Sequence, residues 1–237
     1  MKGSEGPMNK AVGVLKMHWR DKWTWAYIPW LICFGSFLVN VIVGLMMPTD
    51  AEYYTGGISA LFIYFFIAGI VTPVQTFPFA LGMGVRRSDY FLGTAALAVM
   101  FSAGSAALLT FLSVLEKATN HWGLGLHFFH LPFIHEGPLP AQWLTLMLLF
   151  LFVFFGGIFI AGINRRFGKI GLFVFFGSVL ICMLMIPILV NTWGSWAAIG
   201  RWLEDTFRSA TDLAPLFFIF TLIFSLISYM LFRRATV

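Results

Sequence analysis

The side chains that could carry out chemistry in this sequence are few, and none of them forms a familiar catalytic motif. The sequence has no G-x-x-x-x-G-K-[ST] loop, so it lacks the usual site for ATP. It also lacks the H-E-x-x-H and G-x-S-x-G patterns of metalloproteases and serine hydrolases. We therefore predict that the chain is not an enzyme, has no cofactor of its own, and needs a partner for any nucleotide-driven work.

Histidines are concentrated in one segment, with four of them inside fifteen residues at His121, His127, His130 and His135. Neutral imidazole is a common ligand of zinc and copper. No cysteine accompanies these histidines and their spacing matches no common site, so we predict no bound metal. The alternatives are an aromatic-rich segment resting on a membrane surface and a rim that responds to pH.

The segment Leu81–Phe91, with the sequence LGMGVRRSDYF, combines two glycines with two arginines, a serine and an aspartate. Ser88 or Asp89 can cap the start of a following helix, and the arginines would then only mark the edge of a membrane. The alternative is a small rigid element between two neighbouring helices. It would include Met83, Gly84, Val85, Arg86, Arg87, Ser88, Asp89 and Tyr90.

Long apolar stretches separate these segments and must position them. Of the 237 residues, 59% are hydrophobic and 11% are charged, whereas a soluble domain has roughly 25% charged residues. Six stretches contain about 20 mostly apolar residues, which is the length that spans a bilayer. Pro73 and Pro78 predict a kink or an early end in the second stretch. The six cover residues 26–47, 57–80, 90–115, 141–163, 170–190 and 213–232.

Polar side chains inside the apolar stretches are uncharged near the middle of the membrane. Proton-coupled carriers normally place an ionisable residue there, so this pattern disfavours that class. Asn40 and Gln75 are our candidates for lining a substrate path. The alternative role for both is a hydrogen bond between neighbouring helices.

The distribution of charge predicts the orientation of the helices, since Lys and Arg are retained on the cytoplasmic side of a membrane. With both termini inside, the inside segments hold twelve basic and three acidic residues, and the outside segments hold three basic and seven acidic residues. Topology and attraction to anionic headgroups account for the net charge of +5 without nucleic acid as a partner.

Residues 1–25 precede the first spanning stretch and contain an amphipathic pattern from Met8 to Trp25. We predict a helix in the cytoplasmic interface, which serves either as a membrane anchor or as a docking surface for a partner. The fold predicted is an all-α integral membrane protein with six transmembrane helices in residues 26–237 and with cytoplasmic N and C termini. The predicted interfacial residues are Leu15, Trp19, Arg20, Lys22 and Trp23.

The start KMHWRDKWTWAYIPW and the region FPFALGMGVRRSDYFLG resemble the membrane subunit, or permease, of ABC-2-type transporters. The similarity covers essentially the whole chain and is greatest to permeases of Gram-positive exporters of peptides or antibiotics. It implies that Met83–Tyr90 is a coupling helix in the groove of a separate cytoplasmic ATPase, which binds ATP and Mg²⁺. It also implies that Met8–Trp25 is the interfacial helix and that Trp193–Phe207 forms a re-entrant or extracellular helical segment.

The same resemblance implies that a hydrophobic or amphipathic substrate, such as a toxic peptide, is exported through a bacterial plasma membrane. The complete transporter would contain a second permease, either another copy of this chain or a sister subunit. Two other functions stay open. An ATP-independent carrier or channel would move substrate without a partner, and an immunity protein would bind a peptide without transporting it.

Overall fold

The computed structural model describes residues 7–47, 52–131, 134–135, 137–206 and 210–233. Helices dominate these residues, and two short parallel strands, β1 (Tyr53–Tyr54) and β2 (Leu126–His127), accompany them. The strands were not predicted from the sequence. The α-helices are α1 (Pro7–Arg20), α2 (Ile28–Leu45), α3 (Ser59–Gly82), α4 (Arg87–Ala118), α5 (Leu139–Trp193), α6 (Trp196–Thr206) and α7 (Ala210–Arg233).

Five helical segments in the described residues are long and apolar enough to cross a membrane. They confirm the all-α class. Their number, length and composition are those of a multi-pass membrane protein. Pro73 and Pro78 do not end α3 early, because this helix continues to Gly82. The five segments are Trp23–Leu45, Ser59–Gly82, Arg87–Ala118, Leu139–Thr192 and Asp212–Arg233.

The separate helices predicted over 141–163 and 170–190 belong to the single element α5, which is interrupted at one residue. Gly168 has a φ of 64° and a ψ of −160°, a conformation that glycine adopts without the steric cost of a Cβ. In an unbroken helix, Phe159 and Phe175 would lie about 24 Å apart along the axis. Their ring centroids are 5.4 Å apart. The arms 139–167 and 169–193 therefore fold back on each other.

Alternating helix directions collect the charged residues at two ends of the bundle. At one end, Nη1 of Arg87 donates to the carbonyl of Arg233 at 2.9 Å, which joins the start of α4 to the end of α7. At the other end, the backbone N–H of Tyr53 donates to the carbonyl of Gly125 at 3.0 Å. We call the first the basic end, and it also carries α1, the α3–α4 turn and Gly168. We call the second the acidic end, and it carries Glu52, Glu116, Asp205 and Asp212.

α3 crosses the first arm of α5 in close contact. A Cβ on Gly69 would overlap the carbonyl oxygen of Phe154, and a Cβ on Gly157 would overlap that of Phe66. The two backbones therefore touch, as small residues allow in membrane helices. Gly104 in α4 lies elsewhere, with no neighbouring atom within 4 Å of a Cβ placed on it.

Replacing Gly157 by alanine should destabilise the bundle, whereas Gly104→Ala should not. The added methyl group at position 157 has to push two backbones apart, and overpacking of this kind costs about 1–3 kcal/mol. Heating in detergent, followed by size-exclusion chromatography, measures the temperature at which the folded protein is lost. Equal stabilities of the two variants would contradict the backbone contact.

Candidate functional site

The connection between α3 and α4 is a short turn with its own hydrogen bonds. The backbone N–H of Val85 donates to the carbonyl of Ala80 at 3.1 Å, and that of Gly84 donates to Leu81 at 2.9 Å. Gly84 has a φ of 76°. These features define a Schellman motif, which ends a helix by satisfying its last carbonyls and favours glycine at the left-handed position. The turn is therefore a fixed structure rather than a slack loop.

The eight residues of the predicted contact divide between this turn and the first turn of α4. Met83, Gly84 and Arg86 are exposed, whereas Asp89 and Tyr90 are buried. The remaining three, Val85, Arg87 and Ser88, are half-buried. Only part of Met83–Tyr90 is thus open to a partner.

Capping of α4 by Ser88 or Asp89 is wrong, because α4 begins at Arg87 and its N-cap is Arg86. The backbone of Arg86 is extended, with a φ of −70° and a ψ of 149°, and its side chain makes no capping hydrogen bond. Asp89 lies in the first turn instead, where a negative charge interacts favourably with the helix dipole. Its Oδ1 accepts a hydrogen bond from the hydroxyl of Ser88 at 3.4 Å.

α1 packs against the same part of α4. Val14 is buried there, and a Cβ on Gly93 would clash with the carbonyl oxygen of Ala11 and with Val14. One turn further on, His18 is 4% exposed and its Nε2 lies 3.4 Å from Oγ1 of Thr94. Gly93 thus provides the room that α1 needs to approach.

His18 is a buried titratable group outside the spanning helices. Burial lowers the pKa of His18 to about 4, and the nearby negative charge of Asp21 only partly opposes this shift. The imidazole is therefore neutral near pH 7, and protonation would place a charge between α1 and α4. Sequence reasoning missed this residue, because a single histidine in an amphipathic pattern gives no signal of burial.

The other predicted residues of the interfacial helix surround this contact. Leu15 is half-buried, whereas Trp19 and Trp23 are 50% and 66% exposed. Arg20 and Lys22 are exposed as well. The buried face of α1 is therefore built from Val14 and His18, whereas the ring of Trp19 packs on Phe101 of α4 with 5.7 Å between centroids, and Trp23 lies beyond the end of α1.

A small open pocket of 350 Å³ lies beside the α3–α4 turn and is lined by Arg87, Ser88, Tyr229, Phe232 and Arg233. It offers a guanidinium, hydroxyl groups and aromatic rings at the basic end. Such a surface can receive an acidic or polar side chain from another protein, because guanidinium groups pair well with carboxylates.

Arg165, which sequence reasoning assigned to a connecting loop, lies in α5 and binds α3. Its Nη2 donates to the carbonyls of Pro73 and Val74 at 3.2 and 3.1 Å. In a helix the carbonyl of Val74 would accept from residue 78, and Pro78 has no N–H to give. Arg165 therefore supplies the donor that Pro78 lacks, and this explains how α3 continues past Pro78.

The two candidates for a substrate path are not brought together. Asn40 lies near the acidic end, where its side-chain Nδ2 donates to the backbone carbonyl of Ser36 at 2.8 Å. The backbone carbonyl of Asn40 accepts a hydrogen bond from the hydroxyl of Tyr53. Gln75 is exposed on α3, about 24 Å along the helix from Ser59 at the acidic end. The two side chains do not share one polar site.

Comparison of the chain with family models, with curated proteins and with solved structures finds no match.

Removal of Arg165 should destabilise the protein by an amount that depends on Pro78. Arg165→Met keeps a long side chain but leaves the carbonyl of Val74 without a donor, which costs about 1–3 kcal/mol. The cost should fall by about 1 kcal/mol in a Pro78→Ala background, since this substitution restores the helical N–H. Pro73→Ala is the matched control, because it restores a donor to Gly69 only. If Arg165→Met lowers the free energy of unfolding by the same amount in the wild type and in Pro78→Ala, this role of Arg165 is refuted.

Acidification should weaken the contact between α1 and α4. The pKa of His18 is depressed in the docked state, so the stability of docking is complete above pH 6.5 and is lost as the pH falls toward 4. At pH 5 the loss should be about 2 kcal/mol. Hydrogen exchange of α1, compared between the wild type and His18→Gln at pH 7 and pH 5, measures this change. Equal loss of protection in both proteins would show that His18 is not responsible.

Proposed function

We propose that the chain is the permease subunit of an ATP-driven exporter, with the basic end in the cytoplasm and a separate ATPase bound to it. The observation that carries this proposal is the α3–α4 turn. Its hydrogen bonds fix it to the end of α3, and it leads directly into α4. A force applied to Met83, Gly84 and Arg86 would therefore move two helices rather than deform a loop.

The displacement would reach the rest of the bundle through α3. The Gly69–Gly157 crossing and the Arg165 hydrogen bonds tie α3 to α5 at two levels, so the two helices would move together. Closure of the ATPases on ATP would tilt this pair and change which side of the membrane is open. Such coupling requires a contact whose free energy differs between the two states.

α1 belongs to the same contact surface. It packs on α4 at Gly93, within two turns of the exposed part of the α3–α4 turn. The exposed Lys16, Arg20 and Arg86 give this surface a positive charge. An acidic groove on the ATPase would complement it, and Trp19 and Trp23 would lie at headgroup depth.

Six crossings, with both termini in the cytoplasm, are the topology that this function uses. The fold-back at Gly168 supports it, since each arm of α5 is long enough to span a bilayer by itself. Arg166 and Lys169 flank the fold-back, as the positive-inside rule requires of a cytoplasmic connection. α6 lies in the part of the predicted outer segment that the structure describes, whereas Phe207 lies outside the described residues.

A hydrophobic or amphipathic cargo, such as a membrane-active peptide, fits an apolar groove on the surface of the bundle. This groove has a volume of 630 Å³ and lies between α5 and α7, where Leu144, Met147, Pro215 and Phe218 line it. A second permease, either another copy or a sister subunit, would complete the pathway in the bacterial plasma membrane.

The coupling contact can be tested with Arg86→Glu, because this side chain is exposed and its replacement should not disturb the fold. Co-purification with the ATPase encoded by the neighbouring gene should fall at least about 10-fold, as expected when a like charge meets an acidic groove. Membrane-stimulated ATP hydrolysis should fall with it. Arg201→Glu is the matched control, since Arg201 is an exposed arginine at the acidic end.

If Arg86→Glu changes neither the association with the ATPase nor the hydrolysis of ATP, the α3–α4 turn is not the coupling contact. Transport by the purified chain alone in liposomes would indicate the ATP-independent carrier or channel. Peptide binding without any associated ATPase and without transport would indicate the immunity protein.

A further inference from the structure

A cluster of metal-ligand side chains lies at the acidic end, far from the proposed coupling surface. Glu116, His121 and His127 each place one ligand atom near a common point, and these three atoms lie within 4.8 Å of one another. The ring centroids of His121 and His127 are 3.9 Å apart. Two imidazoles and one carboxylate are a donor set that Zn²⁺ accepts in proteins.

The ring nitrogens of this cluster are buried without hydrogen bonds. Within the described residues, Nδ1 of His121 and both ring nitrogens of His127 have no hydrogen-bond partner. Burial of a polar atom without a partner costs free energy, because its hydrogen bonds to water are lost and not replaced. A metal ion would compensate one ring nitrogen of each histidine directly.

Glu116 is held in place by the backbone of the following loop. Its side chain is fully buried, and Oε2 accepts the N–H groups of Phe128 and Phe129 at 3.1 and 2.7 Å. Oε1 accepts the N–H of His130 at 3.2 Å and lies 4.0 Å from Nδ1 of His121. Carboxylates that bind metals are typically fixed by hydrogen bonds in this way.

Two neighbours define the limits of the cluster. Glu52 is largely exposed and places its Oε2 3.9 Å from Nε2 of His127, where a carboxylate can orient a ligating imidazole. His135 lies on the far side of His130, and its Nδ1 accepts the N–H of Leu131 at 2.9 Å. His135 is thus already engaged by the loop backbone.

We propose that Glu116, His121 and His127 form a binding site for a divalent transition-metal ion such as Zn²⁺. Bonds from Zn²⁺ to these ligands are about 2.0–2.2 Å long, so the donor atoms must approach one another by roughly 1 Å. His121 can make this movement, because it is only half-buried in the loop that follows α4. Three protein ligands leave a fourth position for water.

The experiment uses the full chain in detergent, free of any affinity tag, and measures Zn²⁺ binding by calorimetry. We expect one Zn²⁺ per chain and at least about a 10-fold loss of affinity in His121→Gln and in His127→Gln. His18→Gln is the matched control, since it removes one buried histidine at the basic end and should keep the wild-type affinity. Saturating Zn²⁺ should also raise the melting temperature of the wild type.

Cobalt provides a second measurement that needs no variant. Co²⁺ in this site should give the absorption of a low-symmetry complex with nitrogen and oxygen ligands, without a thiolate charge-transfer band. Binding well below one ion per chain, wild-type affinity in both histidine variants, or a band that assigns the ion to Cys33 or Cys182 would overturn the proposal. None of these readouts depends on whether an ATPase binds the basic end.

Discussion

The backbone contact between α3 and α5 fixes the arrangement of this bundle, because neither helix can rotate or slide there without a clash. Gly69 and Gly157 remove the side chains that would keep the helices apart. Arg165 adds a tie nearer the basic end, at the carbonyls of Pro73 and Val74, and Pro78 would otherwise leave the second of these without a donor. α5 also packs against α4 and α7, so the elements around the α3–α4 turn depend on the same crossing.

Much of this fold could be predicted, because it follows from local composition. Long apolar stretches have to form helices in lipid, and the sequence located all of them to within a few residues. A glycine such as Gly84 is likewise typical of the end of a helix. The predicted connection between the two helices covered residues 164–169, whereas the helix is interrupted at Gly168 alone. Sequence pattern shows where apolar residues stop, but it does not show that one left-handed glycine is enough to reverse a helix.

The functional surfaces were less predictable, since they depend on pairs of residues that are distant in the chain. The burial of His18 results from the docking of α1 on α4, which the local sequence pattern does not show. The prediction of no bound metal considered only the spacing of the four histidines. It did not include Glu116, whose carboxylate belongs to the preceding helix. The pairing of Arg165 with the carbonyl of Val74 likewise joins residues 91 positions apart.

The two arms of α5 have unequal support within the chain. The first is largely buried, whereas the second is exposed along most of its length, and Phe173 is 79% exposed. The apolar residues of the second arm, 170–190, measure about 31 Å along the helix axis, against about 30 Å for the hydrocarbon core of a bilayer. In the proposed six-crossing topology, this arm would incline in a thinner bilayer and would pivot at Gly168. Lipid chain length would thus set the inclination of the second arm while the first keeps its angle.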